Sequence, residues 1–394
     1  LLGALLAARG FGSVQAGAVL TALIAGTALA SLAVGRYGDR FGRRRTYAAF
    51  SLGIAAAGAV VAAGAPFWVL LAVALTGTLS TDVVDNGPAT TLEQAMLAAE
   101  DAGTAKVYGR YNAVGAAAGA LGSLAVIAPG LGLHGRTEGV HGWLFLVLVP
   151  VGVVGAVLAA RLSPAVEAGF AGAAGHGAAA WSRLGRSRSV VRRLAALFAV
   201  DAAGGGLVTT GFLSYYFTER YHASVAALGG LFFAVSAVQA VSVALAPLLA
   251  RRFGLIATMV GTHLPSNILL AAVAFAPGFA AAAVLLLART TLSQMDVPTR
   301  QALVMTVVTP PERTAAAAVT NASRYTVRPV GPLAAGLLQQ VALGAPLVLA
   351  GAVKAGYDLT LWAWARHLDI APGNRSGSPG GAASAVTTAS SREP

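Results

Sequence analysis

The chain contains no cysteine. That absence excludes disulfides, thiol nucleophiles and thiolate metal sites, and it leaves the compartment open. Charge is scarce as well. Asp, Glu, Lys and Arg make up 11% of the residues, under half of the ~25% that covers a typical water-facing domain. Acid is scarcer than base, with 15 acidic against 27 basic residues and a net charge of +12. What is abundant is apolar surface: 56% of the 394 residues are hydrophobic and the mean hydropathy is +0.71. A soluble enzyme is excluded by that balance. A nucleic-acid partner is disfavoured too, because the basic residues fall in short clusters between apolar runs rather than on one polar face. They read as loop charge on a membrane protein.

A helix crosses a hydrocarbon core with roughly 20 apolar residues, and the chain supplies that length repeatedly. After an apolar stub at Leu1–Ala8, spans are expected near Ala16–Val34, Tyr47–Ala65, Phe67–Val84, Tyr111–Pro129 and Trp143–Ala160. The stub has no basic segment or cleavage site before it, so it reads as a first helix that is incomplete rather than as a signal peptide. Arg161–Arg193 is polar, basic and rich in Gly, Ala and Ser, which marks a linker. Further spans follow near Leu194–Phe217, Ala226–Leu249, Thr258–Ala276, Phe279–Val297, Thr314–Val341 and Pro346–Ala365. The expected division is a six-helix bundle at 1–160, a linker at 161–193, a second six-helix bundle at 194–366 and a disordered tail at 367–394, which has no apolar period.

Lys and Arg resist translocation, so their distribution over the loops orients the chain. Assigning alternate loops to one side places 20 of the 27 basic residues there, among them Arg36, Arg43, Arg44, Arg45, Lys106, Arg192, Arg193, Arg251, Arg252 and Arg300. The other side holds Arg9, Arg136 and Arg220. The expectation is a multi-pass protein of the cell (plasma) membrane with linker and both termini in the cytoplasm.

The two halves also echo one another. Asp39-Arg40-Phe41-Gly42 aligns with Arg251-Arg252-Phe253-Gly254 at an offset of 212, and Pro88 with Pro298 at 210. Tyr111-Asn112-Ala113 and Leu121-Gly122-Ser123-Leu124 align with Thr320-Asn321-Ala322 and Val330-Gly331-Pro332-Leu333 at 209. Three matches in order at nearly one offset argue for duplication, as in many transporters. The loop after the second span reads Gly35-Arg36-Tyr37-Gly38-Asp39-Arg40-Phe41-Gly42-Arg43-Arg44-Arg45. It resembles the signature loop of the major facilitator superfamily, G-x-x-x-D-R-x-G-R-[RK], between helices two and three. The resemblance spans essentially the whole chain. It implies an all-α integral membrane fold of two six-helix bundles related by a pseudo-two-fold axis, twelve helices with the first incomplete, rocking about a central cavity. Carried over by position, Gly35, Asp39, Arg40, Gly42 and Arg43 would lock the cytoplasmic gate, with Asp39 facing Thr314 and with Glu93 as a partner for Arg43. Proton-coupled drug exporters of that family often carry G-x-x-x-G-P-x-x-G-G in helix five. Here the segment reads Gly115-Ala116-Ala117-Ala118-Gly119-Ala120-Leu121-Gly122-Ser123, so the resemblance implies transport, with efflux as only one direction for it.

Ionisable residues inside spans are expensive and are presumed paired, cavity-facing or both. Asp201 lies eight residues past Arg193, about 12 Å into its helix at 1.5 Å per residue, beside Gly204-Gly205-Gly206. It reads as a proton-coupling carboxylate, with a fixed ion-paired Asp as the alternative. Arg289, Arg324, Arg328, Lys354, Asp296 and Asp358 are assigned to a substrate cavity. Lys354 and Asp358 are spaced to neutralise one another at i, i+4. Arg324 and Arg328 share a face and need an anion, which could be Asp201, Asp296 or a substrate carboxylate or phosphate. Asp82 and Asp85, before Pro88, are placed nearer the gate, as is Asp296, before Pro298. His263 and Asn267 share a helical face that could line the cavity, with packing as their expected role.

These features point to a secondary-active transporter of a small solute, working by alternating access and coupled to protons, and not to an enzyme. Two alternatives remain: an integral-membrane enzyme acting on lipid-linked substrates, for which the chain shows no convergent catalytic group, and an uncoupled facilitator. No cofactor or metal is expected, since the six histidines show no ligand spacing. The expected partners are the solute, H+ and the lipid bilayer, with the chain as a monomer.

Overall fold

The computed structural model describes residues 2–79, 142–163, 184–309 and 312–365, with positions 93, 114, 115, 118, 119, 121–123 and 181, and excepting the side chains of 32, 35–40, 313 and 314. The expected span Tyr111–Pro129 lies mostly outside the described residues, as do most of the linker and all of the tail. Every described element is helical. In hydrocarbon each backbone N–H and C=O must be satisfied within the protein, so an apolar run closes into a helix. The first half contributes α1 (Leu2–Ala8), α2 (Ser13–Phe41), α3 (Arg43–Ala62), α4 (Phe67–Leu75) and, after a 3₁₀ turn at Gly142–Val147, α5 (Leu148–Arg161). The second contributes α6 (Arg188–Leu207), α7 (Thr210–Tyr221), α8 (Val225–Phe253), α9 (Leu255–Val273), α10 (Phe279–Ser293), α11 (Asp296–Val307), α12 (Arg313–Val327), α13 (Val330–Leu338) and α14 (Ala345–Ala365). Among the described residues, six helical stretches are long and apolar enough to cross a membrane. Several present large apolar side chains outward, such as Trp68, Val241 and Ile268, as a lipid-facing surface requires.

The duplication is written in the helix register. α2, α3 and α4 begin at residues 13, 43 and 67; α8, α9 and α10 begin at 225, 255 and 279, a constant offset of 212. α2 and α8 are both 29 residues long, and each ends in Phe-Gly. The glycines have matching positive φ, 89° at Gly42 and 87° at Gly254. Side chains are strained there, so glycine lets one long helix reverse directly into the next. The architecture is the expected all-α membrane fold of two related bundles.

The halves meet where α1 packs on α7 and α2 packs on α13. Glycines make both contacts close. A Cβ on Gly17 would stand 2.5 Å from the Pro332 carbonyl oxygen, and one on Gly3 or Gly336 would strike backbone of α7 or α2. Small residues let helix backbones approach in just this way. Two hydrogen bonds reinforce the seam: the Leu333 N–H donates to Thr21 Oγ1 at 2.9 Å, and Tyr215 Oη donates to the Phe11 carbonyl at 3.1 Å.

Three expected spans are not continuous helices. The stretch Leu194–Phe217 breaks at Val208, where Thr209 caps α7 by accepting from the Phe212 N–H at 3.2 Å. Phe279–Val297 breaks at Gln294-Met295 and Thr314–Val341 at Arg328-Pro329. Pro298, in the first turn of α11, and Pro329 have no N–H to carry the helical ladder across those points. α6 also starts at Arg188, earlier than its apolar run, so Arg192 and Arg193 are helical rather than linker residues.

The segment just before α6 is docked. Leu184 is buried against Val191 and Leu194, and the Glu312 carboxylate accepts from the Gly185 N–H at 2.7 Å and the Ser187 N–H at 3.0 Å. The Ser187 side chain and these backbone donors hold the Glu312 carboxyl below its ordinary value. A lowered carboxyl contributes at neutral pH and loses its contribution as pH falls through the folded-state value. Glu312→Ala is therefore expected to speed tryptic cleavage after Arg186 at pH 7 without changing helix content, and limited proteolysis followed by mass spectrometry measures it.

Candidate functional site

α6 carries Asp201 thirteen residues from its start, about 20 Å along the helix. The carboxylate is 3% exposed as a residue and is shared by four groups from four other helices. Lys354 Nζ of α14 pairs with Oδ1 and also reaches the Asp201 carbonyl at 3.4 Å. Arg300 Nη1 of α11 stands 3.6 Å from Oδ2, Arg324 Nη2 of α12 stands 3.9 Å from Oδ2, and His263 Nε2 of α9 stands 3.9 Å from Oδ1. Gly204 makes the first of these pairs possible. A Cβ there would lie 2.7 Å from Lys354 Cγ, in the path of the lysine stem.

The network continues on either side of Asp201. Arg300 Nη1 donates to Asp296 Oδ2 at 2.5 Å, one turn along α11, and its guanidinium lies 5.7 Å from the Phe198 ring centroid. Asp296 occupies the first turn of α11, where helix N–H groups favour a carboxylate. His263 Nδ1 sits 2.8 Å from Asp358 Oδ1, and the Asn267 amide donates to Asp358 Oδ2 at 2.8 Å. Tyr357 packs its ring edge-on to both His263 and Phe198. Arg289 contributes a further cation, and its Nε is buried with no hydrogen-bond partner among the described residues. Arg324, with 24% of its side chain exposed, is the most open member of the Asp201 ion cluster. A cavity of about 40 Å³ reaches the network at Arg300 and is lined also by Phe198, Gln301, Val304, Thr320 and Asn321.

The arrangement differs from the expected one in three places. Lys354 and Asp358 do not neutralise each other: Lys354 turns to Asp201 and Asp358 to His263 and Asn267. In a medium without water each charge takes the partner that offers the most complete hydrogen bonding, and that partner lies on another helix. Arg300, expected in a cytoplasmic loop, belongs to α11 and to the network; its i, i+4 spacing from Asp296 was the signal that would have found it. His263 and Asn267, expected to pack, are polar links between carboxylates. Arg328 caps the C-terminus of α12, and its carbonyl closes on Gly206.

Of the gate residues, Gly35, Asp39 and Arg40 lie in the last turns of α2, and Gly42 forms the turn. Arg43 is buried at the start of α3. One turn on, Tyr47 Oη donates to a Glu93 carboxylate oxygen at 2.6 Å, so Glu93 lies against the same stretch of α3. The neighbouring Arg44 guanidinium donates to the Ala160 carbonyl at the end of α5. Asp82 and Asp85 lie outside the described residues.

Removing one partner of a buried ion pair strands the other, at about 3–5 kcal/mol. Asp201→Asn and Lys354→Met are each expected to lower the thermal stability of the detergent-solubilised protein. The double variant is expected to lose less than the sum of the two, because each single change leaves the charge that the double removes; thermal unfolding of all three measures it.

Comparison with known proteins places this geometry. In curated sequences, an uncharacterized membrane protein of Saccharomyces cerevisiae, YJR124C, is 26% identical over 355 residues, covering 82% of this chain and 79% of that protein. Among solved structures, the nucleoside transporter NupG superposes with a TM-score of 0.66 at 14% identity, covering 92% of each chain. The inward-open xylose transporter XylE from E. coli gives 0.63 at 13% identity over 89% of this chain and 86% of that one. The human organic anion transporter MFSD10 gives 0.52 at 18% identity over 89% and 83%. The family profile described as Major Facilitator Superfamily matches residues 1–332. With the duplicated bundles, the Gly42 turn of the signature loop and this match together, the chain belongs to the major facilitator superfamily.

Proposed function

We propose that this membrane transporter is a secondary-active carrier that moves a small organic anion by alternating access and couples it to protons. The observation that carries the reading is the Asp201 network: one buried carboxylate shared by Lys354, Arg300, Arg324 and His263. Several cations around one carboxylate can redistribute their hold on it without leaving it bare. The anionic character of the solute rests on charge. Four permanent cations, Arg289, Arg300, Arg324 and Lys354, stand against three carboxylates, Asp201, Asp296 and Asp358, and Arg289 Nε has no hydrogen-bond partner among the described residues. A solute carboxylate or phosphate reaching Arg300, which lines the small cavity, would compete with Asp201 for the guanidinium group.

In this reading the basic face, with the Gly42 turn and the linker at 161–193, is cytoplasmic, the membrane is the plasma membrane, and the protein acts as a monomer. Asp39, Arg40 and Arg43 close that face when the halves rock together, and coupling runs through the network centred on Asp201. Relatives by fold offer precedents: one is a D-xylose-proton symporter and another an organic anion transporter.

The test uses purified protein in proteoliposomes loaded with a pH-sensitive dye, with sugars, nucleosides, carboxylates and phosphorylated metabolites added one at a time. A carboxylate or phosphorylated solute is expected to drive proton flux, and Asp201→Asn is expected to abolish uphill accumulation while exchange down a gradient remains. Proton flux driven only by neutral solutes would discard the anion. Uptake of radiolabelled solute with no proton movement would establish a facilitator instead.

A further inference from the structure

We infer that His263 is the residue on which the coupling proton sits, and that Asp201 is the fixed anion opposite it. The inference rests on the proton coupling proposed above and replaces Asp201 as the proton's seat.

The ring of His263 spans two carboxylates. Nδ1 lies 2.8 Å from Asp358 Oδ1 and Nε2 lies 3.9 Å from Asp201 Oδ1. A 2.8 Å contact between a ring nitrogen and a carboxylate oxygen needs a proton between them. Asp358 accepts the Asn267 amide on its other oxygen, and the same amide nitrogen lies 3.3 Å from Nδ1; with the proton on Nδ1, Asp358 accepts on both oxygens. That leaves Nε2 as the basic nitrogen of a neutral ring. It points to Asp201 across a gap that a small side-chain shift or one water closes.

The remaining charged groups exclude the other seats. Asp201 on α6 is the common anion of Lys354 on α14, Arg300 on α11 and Arg324 on α12. A proton there would strip three cations of their shared partner at once. Asp296 on α11 is held by Arg300. Arg289 on α10 is a further permanent cation. Histidine is the side chain whose ordinary range falls between roughly pH 5 and 8. An imidazolium at 263 would have a carboxylate at each nitrogen.

Protonation also has a structural consequence. His263 Nε2 and Lys354 Nζ address the same oxygen, Oδ1 of Asp201. A charged ring draws that oxygen and competes with Lys354, so the hold of α14 on α6 depends on whether the proton is bound.

The experiment reads His263 directly. A variant keeps it as the sole histidine, with His134, His141, His176, His222 and His367 changed to Gln, so that the network is untouched. Labelled with ¹⁵N-histidine in lipid nanodiscs, it is titrated by NMR from about pH 5 to 8. The expected result is a full change of the ring signals from a neutral ring protonated on Nδ1 to imidazolium. A ring that keeps one protonation state across that range overturns the inference, as does a neutral ring protonated on Nε2. Solute-driven proton flux in the same variant, with the panel above, separates the two readings. A titrating His263 with no flux leaves the proton seat standing and removes the coupling; flux with a silent His263 does the reverse.

Discussion

A carboxylate with no water around it must be surrounded by donors, and the second half of this protein is assembled around that requirement. Asp201 draws Lys354, His263, Arg300 and Arg324 to one point, and in doing so it fixes how α9, α11, α12 and α14 stand against α6. The backbone yields to it. Gly204 clears the lysine stem, and Gly206 lets α6 pass against Arg328 and Gly331 where α12 gives way to α13. The glycine triplet next to Asp201, which might pass for a flexible hinge, is thus two specific close approaches. Breaks in α6–α7, α10–α11 and α12–α13 fall around the same region, consistent with the rule that irregular backbone at membrane depth is tolerated where polar groups can satisfy it.

The same physics decides what was legible in the sequence. Helix positions and the duplication were, because hydrocarbon permits one local structure for an apolar run and because the Phe-Gly turns at Gly42 and Gly254 fix the register of each half. The presence of a charged cluster was legible too, since Asp201, Arg289, Asp296, Arg324, Lys354 and Asp358 stand out against apolar surroundings. Its wiring was not. Lys354 and Asp358 have the spacing of a local pair, but such pairs are worth only ~0.2–0.5 kcal/mol on a solvated helix, far less than the demand for partners at a buried charge. Tertiary contact therefore overrides local spacing, and no period in one sequence reveals which helices will meet. Arg300 was hidden for a different reason: its cluster of polar neighbours imitates a loop, whereas the break at Gln294-Met295 starts a new helix that carries Asp296 and Arg300 together. His263 was hidden by its surroundings, since an apolar helix with one histidine gives no sign that two carboxylates face it.

The two halves are held by opposite means, and this bears on how they could move. Inside the second half the ties are ionic, multiple and buried, so shifting α6 against α14 breaks several at once. Between the halves the described seam is made of glycine contacts at Gly3, Gly17 and Gly336 with hydrogen bonds at Thr21 and Tyr215. Contacts between small residues are non-directional and individually weak, and lipid tails can take the place of the apolar surface that separates. A rocking motion of the proposed kind would then part the seam and leave the network intact. The cluster would travel with the second half, and a change of charge at His263 would act through the hold of α14 on α6 without dispersing the other ties to Asp201.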